Sequence, residues 1–257
     1  MRSPESSSAA GARPEGTHDE RSAASAVREM FDRVAPRYDL LNHLLSLNID
    51  RLWWSRTARR FRAVLGRPEA RILDLCCGTG DMTMALLKHR PHNAQPILAV
   101  DFAHQMLLRG AAKFTSSKLA IGRAIPIEAD ALHLPLPAAS LDLLTTAFGF
   151  RNLGNYQSGL KEFYRVLKPQ GELGILDFGE PGGLLGSLYA LYFRRVLPRA
   201  GSLISGVPGA YQYLPSSVHK FPRPDEMLRA MELAGFRQAS WTPYNFGVAG
   251  LYRGVKQ

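Results

Sequence analysis

The stretch that most restricts the fold is Arg71-Ile72-Leu73-Asp74-Leu75-Cys76-Cys77-Gly78-Thr79-Gly80-Asp81. The apolar run Ile72 to Cys77 reads as a buried strand, and it stops on Gly78 and Gly80. Met82, Leu86 and Leu87 then recur at helical spacing. Strand, glycine turn and helix make a nucleotide-binding βα unit. Its glycines allow a tight turn and close approach of a ligand to the backbone, while the helix N-terminus presents unbonded N–H groups.

A dinucleotide fingerprint would place a third glycine where Thr83 stands. Acids flank the turn instead, Asp74 before it and Asp81 after it. Carboxylates repel a pyrophosphate and suit a cation. S-adenosylmethionine (SAM), with its amino group, sulfonium and ribose, fits that requirement. Asp101 ends the second apolar strand, Ile97 to Val100. An acid about 20 residues beyond the glycine turn is where a βαβ unit holds ribose hydroxyls. Asp130-Ala131 ends the third strand, Ala124 to Ala129, in reach of an adenine ring. The fourth strand, Leu141 to Phe148, is followed by Gly149-Phe150-Arg151-Asn152, at the strand end where α/β folds bind ligands.

Around this core, residues 1–24 are Ser/Ala/Gly/Pro-rich and are expected to be a disordered tail. Residues 25–66 are expected to form a helical cap and 71–178 the SAM-binding core. A helical lid is expected over 182–214, and a helix with two closing strands over 215–257. In all, 25–257 is one domain. Lys168-Pro169-Gln170-Gly171 reads as a turn before a fifth strand, Glu172 to Phe178. His133, alone among apolar residues, reads as structural. The adjacent Cys76 and Cys77 read as small buried residues in a reducing cytoplasm, not as a disulfide framework. The N-terminus lacks the apolar centre of a signal peptide, and with no window of ~18 uninterrupted apolar residues no transmembrane helix is expected. The formal net charge is +10, concentrated where acids are missing: Arg51 to Arg67 and Pro181 to Pro224. Such runs are either solvated faces or surfaces for an anionic partner. In the lid, Leu184, Leu188, Leu191 and Tyr192 beside Arg194-Arg195 suit either an interfacial helix or a buried one.

The order of these motifs resembles class I SAM-dependent methyltransferases. Further segments narrow the resemblance to the C-methyltransferases of menaquinone and ubiquinone biosynthesis. They are Ala35-Pro36-Arg37-Tyr38-Asp39-Leu40-Leu41-Asn42, Arg51-Leu52-Trp53, Phe148-Gly149-Phe150-Arg151-Asn152, Arg165-Val166-Leu167-Lys168-Pro169 and Tyr213-Leu214-Pro215-Ser216-Ser217-Val218. The resemblance implies a Rossmann-like seven-stranded, mostly parallel sheet with helices on both faces. It implies that Gly78, Thr79 and Gly80 wrap the methionine part of SAM, that Asp101 takes the ribose, and that Asp130 and Ala131 hold the adenine. Tyr38, Arg151 and Asn152 are the expected catalytic residues, and no metal is expected. The implied acceptor is a prenylated quinol, with demethylmenaquinol favoured over the polyprenyl benzoquinol of the ubiquinone pathway. A cytoplasmic protein touching the inner face of the membrane is expected. A non-catalytic SAM- or membrane-binding protein is the alternative of a different class. Nucleic acid is disfavoured, because an Asn/Asp-Pro-Pro-Tyr/Phe motif is missing after the fourth strand. Two positions depart from the family: Asp50 stands where it usually has His, and Ala147 where some members have Ser.

Overall fold

The computed structural model describes residues 11, 12, 14, 16–38, 46, 48–179, 181 and 210–257. Asp39, Asn42 and most of the expected lid, including Arg194, Arg195 and Arg199, lie outside the described residues.

Seven strands form a single sheet: β1 (Ile72–Leu75), β2 (Ile97–Asp101), β3 (Ala124–Glu128), β4 (Leu141–Ala147), β5 (Leu167–Phe178), β6 (Phe236–Tyr244) and β7 (Ala249–Lys256). Their spatial order is β3-β2-β1-β4-β5-β7-β6. β1 to β5 pair in parallel, whereas β7 inserts antiparallel between β5 and β6. The chain order reverses at β1, and a ligand crevice opens there, beyond the carboxyl ends of the strands. Every residue of β1 is buried, as a central strand covered on both faces requires. β3 lies at one edge, half exposed, and Pro126 within it leaves that edge without one donor.

Among the described residues the α-helices are α1 (Glu20–Val34), α2 (Ile49–Arg60), α3 (Arg62–Leu65), α4 (Asp81–Leu87), α5 (His104–Ser116), α6 (Tyr156–Val166), α7 (Ala210–Lys220) and α8 (Pro224–Leu233). They divide the core into two layers. On one face, Trp53, Trp54, Phe61 and Leu86 pack on Ile72, Leu143 and Leu251. On the other, Leu160, Phe163, Met227 and Met231 pack on Leu73, Leu144 and Tyr252. Gly174 is required here, because a Cβ would drive into the Phe61 ring.

Two elements differ from expectation. α1 begins at Glu20, inside the region expected to be a tail. Asp19 accepts the Ser22 N–H at 2.7 Å and the Ser22 hydroxyl side accepts the Asp19 N–H at 3.2 Å, a reciprocal cap. Ala12 is buried as well, with its N–H on the Leu153 carbonyl at 2.7 Å. The segment read as a turn at Lys168 to Gly171 falls within β5. Leu167 already pairs with Leu141, and the register then shifts before Glu172 pairs with Leu143. Gln170 has φ 64, so the local turn chemistry survives as an irregularity inside the strand.

Candidate active site

The crevice at the β1 switch point is a cavity of about 720 Å³. Its walls are the loops after β1, β2, β3 and β4, and α1 lies across it through Glu20, Ser25, Arg28 and Phe31. α1 is fastened at three places. Arg28 pairs with Glu128 at the end of β3, and His104 Nδ1 shares that carboxylate at 2.6 Å. Asp32 accepts the Gln105 N–H at the start of α5, at 2.8 Å. Asn155 donates to Glu20 at 2.9 Å.

Gly78 has φ 54 and open space where a Cβ would project. It lines the cavity, so a ligand can meet bare backbone there. Gly80 has φ 86, and a Cβ on it would strike the Phe114 ring. Asp101 brackets the turn. One oxygen accepts the Gly78 N–H at 2.7 Å and the other the Ala103 N–H at 2.8 Å. Burial pushes this carboxyl up to about 6, even though the Ala103 and Gly78 donors pull it down. Each carboxylate oxygen retains a lone pair for a further donor, which suits two ribose hydroxyls.

The acids flanking the turn are placed differently from the expectation that they face a cation. Asp74 is fully buried beneath the turn. It accepts from Thr83 Oγ1 at 2.6 Å and Thr145 Oγ1 at 3.3 Å, and burial pushes it up to about 7. Asp81 pairs with Lys113 at 2.9 Å. Neither lines the cavity; among the described residues the carboxylates that do are Glu20, Asp101, Glu128 and Asp130.

Among the expected SAM residues, Gly78, Asp101, Asp130 and Ala131 line the cavity together, while Thr79 and Gly80 form the back of the turn. Asp130 accepts the Leu132 N–H at 2.9 Å. His133, read as structural, is largely exposed at the cavity rim, its Nδ1 3.3 Å from Asp130. Cys76, read as buried, lines the cavity and has φ 53, a left-handed backbone that a side chain resists. Gly149 makes room for it, since a Cβ there would collide with Cys76 Cβ. Cys76→Gly is therefore expected to hold stability within about 1 kcal/mol of the parent, relief of strain offsetting lost packing. Cys76→Val is expected to lose at least about 2 kcal/mol. Urea unfolding of the two variants checks both outcomes.

On the acceptor side, Tyr38 and Asn152 line the cavity with Phe148, and Arg151 does not. Arg151 and Asn152 lie in a 3₁₀ turn, Phe150–Asn152. The Arg151 guanidinium is buried. Its Nη1 donates to Asp177 at 2.9 Å and to the Phe148 carbonyl, and its backbone N–H donates to the second Asp177 oxygen at 3.0 Å. Asn152 donates to the Phe148 carbonyl at 3.3 Å and accepts from Tyr213 Oη at 3.1 Å. Burial raises the Tyr213 hydroxyl to about 12, so it remains a donor at neutral pH. Phe148, held at φ 57, packs at a tilt against Phe178 at 4.5 Å and Trp53 at 5.7 Å between ring centres. Asp50 is buried in the first turn of α2, accepts the Arg51 N–H at 2.8 Å and is not part of the cavity wall. Ala147, where a serine would offer a hydroxyl, puts a methyl group on the wall.

Sequence reading missed Cys76, Arg28, Glu128 and the positioning of Asn152 by Tyr213. Glu128 alone had a signal, an acid ending β3 in register with Asp101 at the end of β2. Among the described residues, no group of three His, Cys, Asp or Glu side chains is placed to hold a metal. No helix among them is long and apolar enough to cross a membrane.

A parallel sheet with an inserted antiparallel β7, a glycine turn open to a cavity and an acid at the end of β2 together define a class I SAM-dependent methyltransferase. Solved structures agree on the fold. The [4+2]-cyclase SpnF superposes with TM-score 0.67 at 16% identity, covering 97% of this chain and 99% of that one. A SAM-dependent methyltransferase from Aquifex aeolicus gives 0.59 at 19% identity, covering 80% and 93%. The profile of the ubiE/COQ5 methyltransferase family matches residues 17–256, and the chain belongs to that family. Its relatives include the demethylmenaquinone methyltransferase of Deinococcus radiodurans, 45% identical over 240 residues, 93% of this chain and 96% of that protein. That of Thermus thermophilus is also 45% identical, over 88% of this chain and 99% of its own length. The ubiquinone/menaquinone biosynthesis C-methyltransferase of Syntrophotalea carbinolica is 42% identical, over 90% and 94%.

Proposed function

We propose that the chain methylates a ring carbon of demethylmenaquinol to give menaquinol. The observation that carries this reading is one cavity lined both by Gly78, Asp101, Asp130 and Ala131 and by Tyr38, Phe148 and Asn152. The first set would hold SAM, with Thr79 and Gly80 shaping the turn around its methionine part. Asp101 would take the ribose, and Asp130 with the Ala131 backbone the adenine. The second set would hold a flat, largely apolar ring against Phe148.

SAM supplies a methyl group on sulfonium, whose sulfur leaves as a neutral thioether. The quinol hydroxyl loses its proton, and the oxyanion's charge spreads to the ring carbon, which forms the new C–C bond. The proton on that carbon then passes to the carbonyl oxygen, which restores the aromatic quinol, so one proton is released overall. The protein's contribution is placement and charge balance. Asn152, oriented by Tyr213 and the Phe148 carbonyl, is in position to bind the acceptor oxygen. Arg151 would act as a positioning residue, holding Phe148 and Asn152 in place from behind the wall.

A prenylated acceptor lies in a membrane, so we assign the protein to the cytoplasm with peripheral contact at the inner face. The test offers SAM with demethylmenaquinol, and separately with polyprenyl methoxybenzoquinol, under reducing conditions. Menaquinol formed at least about tenfold faster than the methylated benzoquinol is the expected result, a difference of about 1.4 kcal/mol in transition-state binding. Faster reaction of the benzoquinol would move the assignment to the ubiquinone branch. Tight SAM binding with methylation of neither would leave a SAM-binding protein.

A further inference from the structure

The tip between β6 and β7 is unusual. Asn245, Phe246 and Gly247 occupy three successive left-handed positions, with φ 47, 59 and 92. Asn and Gly tolerate that region, whereas an aromatic residue there is strained. Phe246 is nonetheless 81% exposed, so burial of its ring does not repay the strain. The tip is also held firmly. Trp53 Nε1 donates to Asn245 Oδ1 at 2.8 Å, and the Gly179 N–H donates to the Val248 carbonyl at 3.0 Å. A strained, anchored and projecting aromatic points to a use outside the fold.

Its neighbour α2 gives that use a chemistry. Trp53 faces the tip, and Arg56 lies over the Tyr244 ring at 4.4 Å. Leu52 on the outward side is 47% exposed, and Arg51, Arg59 and Arg60 are exposed with it. α2 and the β6–β7 hairpin carry a single acid, Asp50, and it is buried. Two projecting apolar side chains in a field of arginines match an anionic lipid surface, where apolar groups enter the acyl boundary and cations meet phosphates. The location fits as well. Ala249 pairs with Phe178 at the carboxyl end of β5, so the tip lies at the end of the sheet that carries the cavity. Trp53 packs on Phe148, which lines that cavity.

We propose that Phe246 and Leu52, with Arg51, Arg59 and Arg60, form a docking surface for an anionic lipid bilayer that sets the cavity beside a membrane-dissolved acceptor. The inference rests on the reading of the acceptor as a prenylated quinol, and it is separate from the expected lid. The test is cosedimentation of the full chain with vesicles of phosphatidylglycerol and phosphatidylcholine, and with phosphatidylcholine alone. No quinol is present, so a failure here is distinct from a failure of the methylation assay. The wild type is expected to bind the anionic vesicles. Phe246→Gly is expected to weaken that binding at least about tenfold. It should also unfold at a higher temperature than wild type, because glycine accepts φ 59 without strain; this separates lost docking from misfolding. Replacing Arg51, Arg59 and Arg60 by Gln should weaken binding roughly fivefold for each charge. Methylation of a short-chain, water-soluble demethylquinol is expected to be unchanged in all of these. Vesicle binding that is absent in the wild type, or unchanged in Phe246→Gly and the arginine variant, overturns the proposal. So does a concentration-dependent dimer that Phe246→Gly abolishes without any vesicle binding, which would make the partner a second copy.

Discussion

Arg151→Ala is expected to lose about 3–5 kcal/mol of stability and at least about a hundredfold in turnover. Asp177 is fully buried, and Arg151 is its cationic partner across the turn after β4. Removing the guanidinium strands that carboxylate in the core. It also frees the Phe148 carbonyl from one of its two side-chain donors, the other being Asn152. The single variant therefore mixes an unpaired buried charge with a disturbed cavity wall. Arg151→Gln combined with Asp177→Asn separates these effects, because the amide pair keeps hydrogen bonds while removing both charges. The double variant is expected to recover most of the stability and to come within about tenfold of wild-type turnover, as a positioning role requires. Urea unfolding, SAM calorimetry and the methylation assay read the three quantities. A double variant that folds and binds SAM normally but stays inactive would place the Arg151 charge on the reacting phenolate instead.

This pairing shows where sequence reading stops. Arg151 was legible as a polar residue at a strand end because β4, with Leu141, Leu143 and Leu144, reads as a central strand and ligands collect beyond such ends. Its partner lies 26 residues away, at the end of β5, and becomes a neighbour only when those two strands pair. Asp101 was legible for the opposite reason. The distance from the glycine turn is fixed by one helix and one strand, so βαβ geometry brings it back to Gly78. The alternation of apolar runs likewise gave the parallel strands, and the spacing at the C-terminus gave the closing hairpin. The start of α1 was hidden because its cap, Asp19 with Ser22, precedes any apolar stripe. The left-handed backbone at Cys76, Phe148 and Phe246 carries no residue signal, since glycine or asparagine would be read at such positions. Asp74 was seen but misplaced. Its position in β1 turns its side chain toward Thr83 and Thr145, beneath the turn it was expected to charge.

Asp101→Asn is expected to weaken SAM binding by about 10- to 100-fold, and the wild type to show a pH dependence that the variant lacks. Both Asp101 oxygens accept backbone N–H groups, from Gly78 and Ala103. An asparagine amide has one oxygen, so its NH₂ must face one of those donors. The turn loses a tether in addition to the charged acceptor proposed for the ribose. The carboxyl titrates near 6 rather than at the ordinary 3.8, because burial disfavours its charge. With Asp101 as the proposed ribose acceptor, SAM binding would use the ionised form. Affinity is therefore expected to be flat above about pH 7 and to fall by up to tenfold per unit below about pH 6. Stability of the SAM-free protein runs the other way. A carboxyl whose pKa is raised by folding favours the folded state most below about pH 3.8, and that contribution is lost as pH rises through the folded value. Asp101 contributes this loss up to about 6 and Asp74 up to about 7. Between about pH 5 and 7, the SAM-free protein should lose stability through these two groups while its grip on SAM tightens. Calorimetric SAM titration and urea unfolding across that interval measure the two slopes separately. A SAM affinity unchanged from about pH 7.5 down to 5 would show that Asp101 ionises in the ordinary range, or that the ribose does not use it.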